Sequence, residues 1–351
     1  MIMQDIIKNL NEQDIIRDKN INSLFLSVLN NNLRINCKIL KSDFFLDSFN
    51  YFPITDNNFS FKNVFRWGIS SRYNNFYTKS FSTNFFERRK NFKNFSDVVI
   101  LGSSPSNNYF RNIITFLPRI FFINDKEINL AIHRNTSNKF KVFIKEILKQ
   151  KNTKVKKFIY LDDDFYKFNN SQIPQFFTMA ASTIILNKSL SYTKKDSGLK
   201  VYLSRNNSVY RNLINEGDLI EKLKSKNFMI VDTKNMSIFE QIKIFSGADV
   251  IIGPTSSALT NLVFSKKGTR VIEIIPKYKY DYEKISFKIR YSKICKYLRL
   301  NYMSIEADPV NNVKLNPETK KFISKKVLKE SNYYKNLLIE VKKFEKIISD
   351  F

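Results

Sequence analysis

Histidine is nearly missing from this sequence: His133 is the only one in 351 residues. Any mechanism that needs two histidines is thereby excluded, including zinc chemistry built on a His-Glu-x-x-His helix. Cysteine is almost as scarce. Cys37 and Cys295 lie far apart, with no Cys-x-x-Cys spacing. That speaks against a disulfide framework and a cysteine zinc site, and it fits a reducing compartment. Seven Gly and eight Pro are too few for a fibrous or low-complexity chain. Long apolar runs are missing too. The most apolar segment, Ile113 to Ile123, is interrupted by Pro118-Arg119 and is too short to span a bilayer. The first residues, MIMQDIIKNLNEQD, carry acids and Asn where an export signal needs an apolar core. The expectation is a cytoplasmic chain, soluble or held peripherally on the inner face of the membrane.

Negative charge is the minority sign. Lys+Arg is 59 against 32 Asp+Glu, a formal +27. Such a balance attracts polyanions: nucleic acid, an anionic membrane face or phosphate-bearing substrates. The plainer reading is compositional drift toward Lys, Asn, Ile and Phe. No recognised DNA- or RNA-binding motif is present, so nucleic acid is not the expected partner. Hydrophobic content of 43% and aromatic content of 15% are globular values. A chain of this length points to two domains.

Residues 1–95 show little clean periodicity and read as an irregular N-terminal region. Within it, NNLRINCKILKSDFFLD holds a strand or two, and RWGISSRYNNFYTKSFSTNFF reads as aromatic strands and turns. From residue 97 the pattern sharpens. DVVILG, INLAI and KFIYL read as buried strands. Between them, Ile113, Phe116, Leu117 and Ile120 fall on one helix face, and Phe140, Phe143, Ile144 and Leu148 on another. Strand alternating with helix implies a parallel sheet, here a Rossmann-like domain over 96–190. Polar residues from Asn187 to Gly198 read as a linker.

The second domain, 198–316, is the clearest. KVYLS, FMIV, DVII and RVIEII are strands. Asn215 is placed to cap a helix carrying Leu219 and Leu223. Ser237 and Glu240 are spaced as a capping box. Gly247 stands where a helix C-cap glycine belongs. Ser256 to Phe264 reads as a further helix. The order is that of a doubly wound half. The tail, 317–351, reads as one amphipathic helix with Tyr334, Leu338, Val341 and Ile348 in its apolar stripe. It either closes the core or lies on a membrane surface.

In open α/β sheets, ligands sit beyond the carboxyl ends of the strands. Those ends carry SRNNSVYR, with Arg205 and Arg211, and GPTSSALTN. Arginine offers paired donors matched to phosphate. Small hydroxyls and backbone N–H groups at a helix start favour an anion. Together they form a diphosphate site. No Gly-x-x-x-x-Gly-Lys-Ser/Thr and no Gly-x-Gly-x-x-Gly occurs, so neither a P-loop nor a dinucleotide fold is expected.

The order of these motifs resembles the family 61 glycosyltransferases. The likeness runs through Ser204, Arg205, Arg211, Asn215 and Glu216, then Gln241, Ala248, Asp249 and Gly253, then Leu259, Thr260 and Asn261. In the first half, NYFRNIITFLPRI (Asn108 to Ile120) is similar to the family's Asn-Tyr-x-His-Trp and Leu-Pro-Arg segment. The likeness covers about residues 97–305. It implies a GT-B fold, two Rossmann-like doubly wound domains facing a cleft. It further implies inverting transfer of a sugar from a nucleoside diphosphate donor, here expected to be UDP-linked. The hexosyl or pentosyl group would go to a hydroxyl of a glycan or lipid-linked glycan in surface polysaccharide assembly, at an anionic membrane surface. No cofactor or metal is implied; the nucleotide sugar is the co-substrate. The donor would be held by Ser204, Arg205, Arg211, Asn215, Glu216, Gly253, Pro254, Thr255, Ser256, Ser257, Thr260 and Asn261.

Two departures bear on catalysis. Arg111 and Thr255 stand where the family often has histidine. A guanidinium does not give up its proton, so Arg111 serves as a cation and not as a base. The acceptor still needs a general base. Asp162, Asp163 and Asp164, at the end of a first-domain strand, are the best candidates, with His133 behind them. A solvated turn is the plainer account of the three acids. Either the base lies among these residues, or the chain is a weakened or non-catalytic relative that binds sugar nucleotide or glycan.

Overall fold

The computed structural model describes residues 21–28, 33–48, 52–54, 92–102, 108–191, 198–205, 208, 210–280, 289–310 and 331–349. The aromatic segment at residues 66–86 lies outside them, as do most of the expected linker and residues 311–330 of the tail. The chain divides into two compact units, Met1–Ile185 and Leu186–Phe351. Each carries a sheet covered by helices, so the protein has a two-unit α/β fold.

The first unit is built on strands β1 (Ile21–Val28), β2 (Leu33–Asp47), β3 (Phe52–Ile54), β4 (Lys93–Ser96), β5 (Val98–Ile100), β6 (Glu127–His133), β7 (Lys154–Leu161) and β8 (Phe165–Pro174). Their order is β1-β2-β8-β5-β6-β7, with β3 on β2 and β4 on β8. Val98, Val99 and Ile100 are all buried, as an apolar run at the centre of a sheet should be. Strands β5, β6 and β7 are parallel, as the strand–helix alternation predicts. The rest differs from expectation. β2 runs antiparallel to β1, β3 and β8, so the sheet is mixed. Among the described residues of the N-terminal stretch, the segment expected to hold a strand or two forms β2, 15 residues long. β8 alternates Tyr166 and Phe168 inward, then loses phase at Asn169-Asn170. That slip hides a strand from a period-two reading.

The slip is shared by neighbouring strands. Asp97 and Asn170 have φ of 56° and 42°, a left-handed geometry that Asn and Asp tolerate best among residues with a Cβ. The register of β2 against β8 shifts between Ser42 and Phe44. Asn170 N donates to Asp43 Oδ1 at 2.7 Å, and Asn170 Nδ2 to Asp97 Oδ1 at 2.5 Å. Three polar side chains thus lock the break across three strands.

Between β5 and β6 the chain runs through a helical turn at Tyr109–Arg111, a π turn at Asn112–Phe116 and a 3-10 segment at Leu117–Phe122. Ile113, Phe116, Leu117 and Ile120 are buried, as their spacing predicts. The regular α pitch is lost because Pro118 has no N–H to continue the ladder. Helix α1 (Asn138–Gln150) buries Phe140, Phe143, Ile144, Ile147 and Leu148, and the Ser137 hydroxyl accepts from Phe140 N. Helix α2 (Met179–Leu190) follows, and the division between units falls within it.

The second unit has β9 (Leu199–Leu203), α3 (Glu216–Ser225), β10 (Phe228–Val231), α4 (Ile238–Gly247), β11 (Ala248–Pro254), a 3-10 helix at Ser257–Phe264, and β12 (Arg270–Pro276). This is the predicted alternation. Beyond it lie α5 (Ile289–Leu298), β13 (Asn301–Pro309), β14 (Leu337–Leu338) and α6 (Val341–Ile348). The sheet order is β10-β9-β11-β12-β13-β14, all parallel but for β14. Successive strands go first to one side of β9 and then to the other. The topological switch point is therefore between β9 and β11.

Several local expectations meet the structure here. Ser237 and Glu240 form both bonds of the capping box. Leu219 and Leu223 are buried. Gly247 is the last residue of α4, and its φ is not positive, so it is no left-handed cap. The side chain of Asn215 does not cap α3; it grips the backbone of Ile339 instead, donating to its O at 2.8 Å and accepting from its N at 3.3 Å. The tail is not one helix. Leu338 belongs to a strand and is exposed, while Phe344 and Ile348 of α6 enter the core.

Gly253 lies inside β11, which runs on to Pro254. A Cβ there would come within 2.8 Å of Leu203 Cβ and 3.2 Å of Leu203 O. Only glycine lets β9 and β11 approach closely at the switch point. Gly253→Ala is expected to lower stability by about 1–3 kcal/mol, the usual cost of overpacking. Urea unfolding checks this; an unchanged midpoint would refute the close-approach account.

Candidate functional site

The carboxyl end of β9 leads into Ser204 and Arg205. Glu216, in the first turn of α3, is buried at 1% exposure beneath them. Its carboxylate accepts from Arg205 N at 3.0 Å, Tyr202 Oη at 2.9 Å and Ser204 Oγ at 3.4 Å. The helix N-terminus favours that negative charge. Glu216 thus holds the Ser204-Arg205 segment in place. Burial, and then the neighbouring Glu216 charge, push the Tyr202 phenol well above its usual range.

The Arg205 guanidinium donates twice to the carbonyl of Tyr210, Nε at 3.1 Å and Nη2 at 2.8 Å. It also lies 5.5 Å from the centre of the Tyr210 ring, and the Arg211 guanidinium lies 4.8 Å from the same ring. Arg211 is buried with φ of 61°. Two guanidiniums are therefore gathered on one aromatic ring, with their planar donors at the carboxyl end of β9. Gathered cations of this kind are suited to the oxygens of a diphosphate.

The carboxyl end of β11 supplies the second part. Thr255 N donates to Ile274 O at 2.8 Å, which extends the β11–β12 ladder past Pro254. Thr255 and Ser256 are buried and Ser257 is exposed. Ser256 precedes the 3-10 helix without a side-chain capping bond. Thr260 and Asn261 are both fully buried. Asn261 Nδ2 donates to Gln241 Oε1 at 2.7 Å, and Gln241 Nε2 in turn donates to the carbonyls of Thr233 and Met236. Asn261 thus ties the 3-10 helix to α4, whereas the buried Thr260 hydroxyl has no hydrogen-bond partner among the described residues. Asn215 is engaged at Ile339.

Both strand ends bear electrostatically on Glu273, an acid not singled out in the sequence. It sits within β12 directly beside Gly253 and is fully buried. Its Oε2 accepts from Tyr302 Oη of β13 at 2.7 Å. Burial raises its pKa from 4.5 to about 7, against the opposing pull of the Thr255 hydroxyl, the Tyr302 phenol and the charges of Arg211 and Arg290. Burial and the Glu273 charge push Tyr302 and Cys295 up in turn. One signal was legible: an acid in the middle of the apolar run RVIEII. Such a residue is either a satisfied core group or a functional one.

In the first unit, the carboxyl ends of β6 and β7 gather His133, Arg134 and the three acids. His133 is buried; its Nδ1 accepts from Asn135 N at 3.2 Å. The ring proton of the neutral form therefore sits on Nε2, which meets Asp163 Oδ1 at 3.0 Å. Arg134 pairs with Asp162 at 2.8 Å. Asp164 Oδ1 accepts from Phe165 N, and Asp162 N donates to Tyr166 Oη. Arg111 ends the helical turn after Asn108, whose side chain accepts from Arg111 N at 3.1 Å. Among the described residues, no group of three His, Cys, Asp or Glu side chains could hold a metal ion, and no helix is long and apolar enough to cross a membrane.

No curated protein matches the chain. Residues 109–272, from the helical turn that carries Arg111 to β12, match the model of the family described as Glycosyltransferase 61, and this stretch is therefore similar to the glycosyltransferases of family 61.

Proposed function

We propose that the protein is a GT-B-type glycosyltransferase that moves a hexosyl or pentosyl group from a UDP-linked donor to a glycan hydroxyl, with inversion. The observation that carries this reading is the pair of guanidiniums, Arg205 and Arg211, on Tyr210 at the β9/β11 switch point. The departing diphosphate needs cations and N–H donors. Arg205 and Arg211 supply the cations, the Thr255 hydroxyl and the Ser256 and Ser257 hydroxyls and N–H groups supply the donors, and Ser204 and Glu216 fix the first arginine. Neither a metal nor another cofactor enters this scheme.

The first unit holds the acceptor in this reading. We assign the general base to Asp163. Asp162 is already paired with a permanent cation, whereas Asp163 faces a histidine whose tautomer is set by Asn135. A carboxylate so oriented can take the acceptor's proton as the new bond forms. The acceptor is a glycan or lipid-linked glycan of surface polysaccharide assembly, met at the inner membrane face. The +27 charge draws the protein to anionic lipid there.

Purified protein should release UDP from at least one member of a nucleotide-sugar panel, faster when oligosaccharide acceptor is present. Asp163→Ala should lower turnover by roughly 100-fold or more, the scale of general-base catalysis. Donor binding without turnover would make the protein a non-catalytic relative, a reading motivated by Arg111 and Thr255 in place of histidine. No turnover together with no UDP binding by calorimetry would remove the proposal.

A further inference from the structure

Glu273 is a buried acid that substrate need not touch. Set in an apolar strand, it is faced by five polar or charged groups: the Thr255 hydroxyl from the loop after β11, Arg211 from the loop after β9, the Tyr302 phenol from β13, and Arg290 and Cys295 from α5. Oε2 holds the Tyr302 bond, while Oε1 has no hydrogen bond of normal geometry. Two of the groups that stabilise its charge, Thr255 and Arg211, are the groups assigned above to the donor's phosphates.

We propose that Glu273 is a positioning residue that takes up a proton when a nucleoside diphosphate binds, and so releases Thr255 and Arg211 to the ligand. The inference rests on the donor reading given above. In the free protein the ionised carboxylate draws on the Thr255 hydroxyl and the Arg211 charge. An arriving diphosphate competes for both and places negative charge nearby. An unpaired buried carboxylate is costly, so the group takes a proton from solvent. Protonated, its Oε1–H can donate to the Thr255 hydroxyl oxygen. The Thr255 O–H is then turned outward to a phosphate oxygen. No covalent bond forms or breaks; one proton moves from solvent to Glu273.

The sign follows from linkage. A group that binds a proton more tightly in the complex makes ligand binding tighter as pH falls. Burial lifts the pKa of the free carboxyl only to about 7, so at pH 8 it has a proton to gain. The terminal phosphate of UDP, with a second pKa of about 6, is already ionised there.

The test is calorimetric titration of the full chain with UDP at pH 8, in two buffers of different ionisation heat. Wild type should take up about half to one proton per UDP bound. Glu273→Gln should bind UDP with uptake near zero. Tyr302→Phe guards against a Gln variant that fails to fold. It removes the phenol that favours the charged form, so more of the carboxyl is protonated beforehand and uptake should fall by about half. UDP binding to wild type with no uptake, or uptake that persists in Glu273→Gln, overturns the proposal and leaves the donor site standing. No UDP binding to wild type at millimolar concentration sinks the donor reading, and this inference with it.

Discussion

Replacing Arg119 by Met should lower the stability of the first unit by about 3 kcal/mol, among the largest single-site effects the fold offers. Arg119 is completely buried. Its Nε and Nη2 donate to Pro174 O at 2.8 and 2.6 Å, and Nη2 also to Ile100 O at 3.1 Å. Nη1 donates to Leu101 O. The guanidinium lies 4.2 Å from the centre of the Phe176 ring. One side chain thus clamps the carboxyl ends of β5 and β8. Methionine fills similar space but satisfies none of the three carbonyls, each costing about 1–3 kcal/mol when left buried and unpaired. Relief from burying a cation offsets part of that sum. Arg119→Lys should recover little, because an ammonium lacks the planar fork. Hydrogen exchange localises the effect: amides of β5 and β8 should lose protection before those of β9 to β12. A Met variant as stable as wild type would show that the clamp contributes nothing net.

Arg205→Ala should weaken UDP binding by about 10- to 100-fold, the scale of a lost charge-assisted hydrogen bond. Affinity for an oligosaccharide acceptor should stay within about twofold, since the partner of Arg205 is the diphosphate. Arg205 also holds the carbonyl of Tyr210, so loop disorder alone could weaken binding. Tyr210→Leu separates the two causes. It keeps that carbonyl and both guanidiniums but removes the ring between them, and it should cost much less than Arg205→Ala. Unchanged UDP affinity in Arg205→Ala would show that the donor lies elsewhere.

Much of this architecture can be read from residues close in sequence. The capping box at Ser237 and Glu240, the buried face of α1 and the apolar strands β5, β6 and β11 rest on local spacing. So does the gathering of Arg205 and Thr255 at strand ends, because a parallel sheet places consecutive carboxyl ends on one edge. Contacts between distant segments were not legible. Ile39 pairs with Pro174, and Asn215 grips Ile339. Nothing near either residue names its partner, and Asn215 also fits a helix cap equally well by spacing.

The sequence by itself therefore determined the strands β5, β6 and β7, the alternation of strands and helices in residues 199–276, the basic charge, and the near-absence of histidine and cysteine. Tertiary structure alone decided which polar residues work together. Thr260 and Asn261 share a motif with Thr255, yet both side chains are fully buried and Asn261 bonds to Gln241 of α4. Glu273 reads as one letter in an apolar strand, yet it lies within electrostatic reach of Arg211 and Thr255, which follow β9 and β11. The physical reason is that a side chain's role depends on its dielectric surroundings and its partners. Both are set by strands that the chain brings together over long loops, and local periodicity carries no record of them.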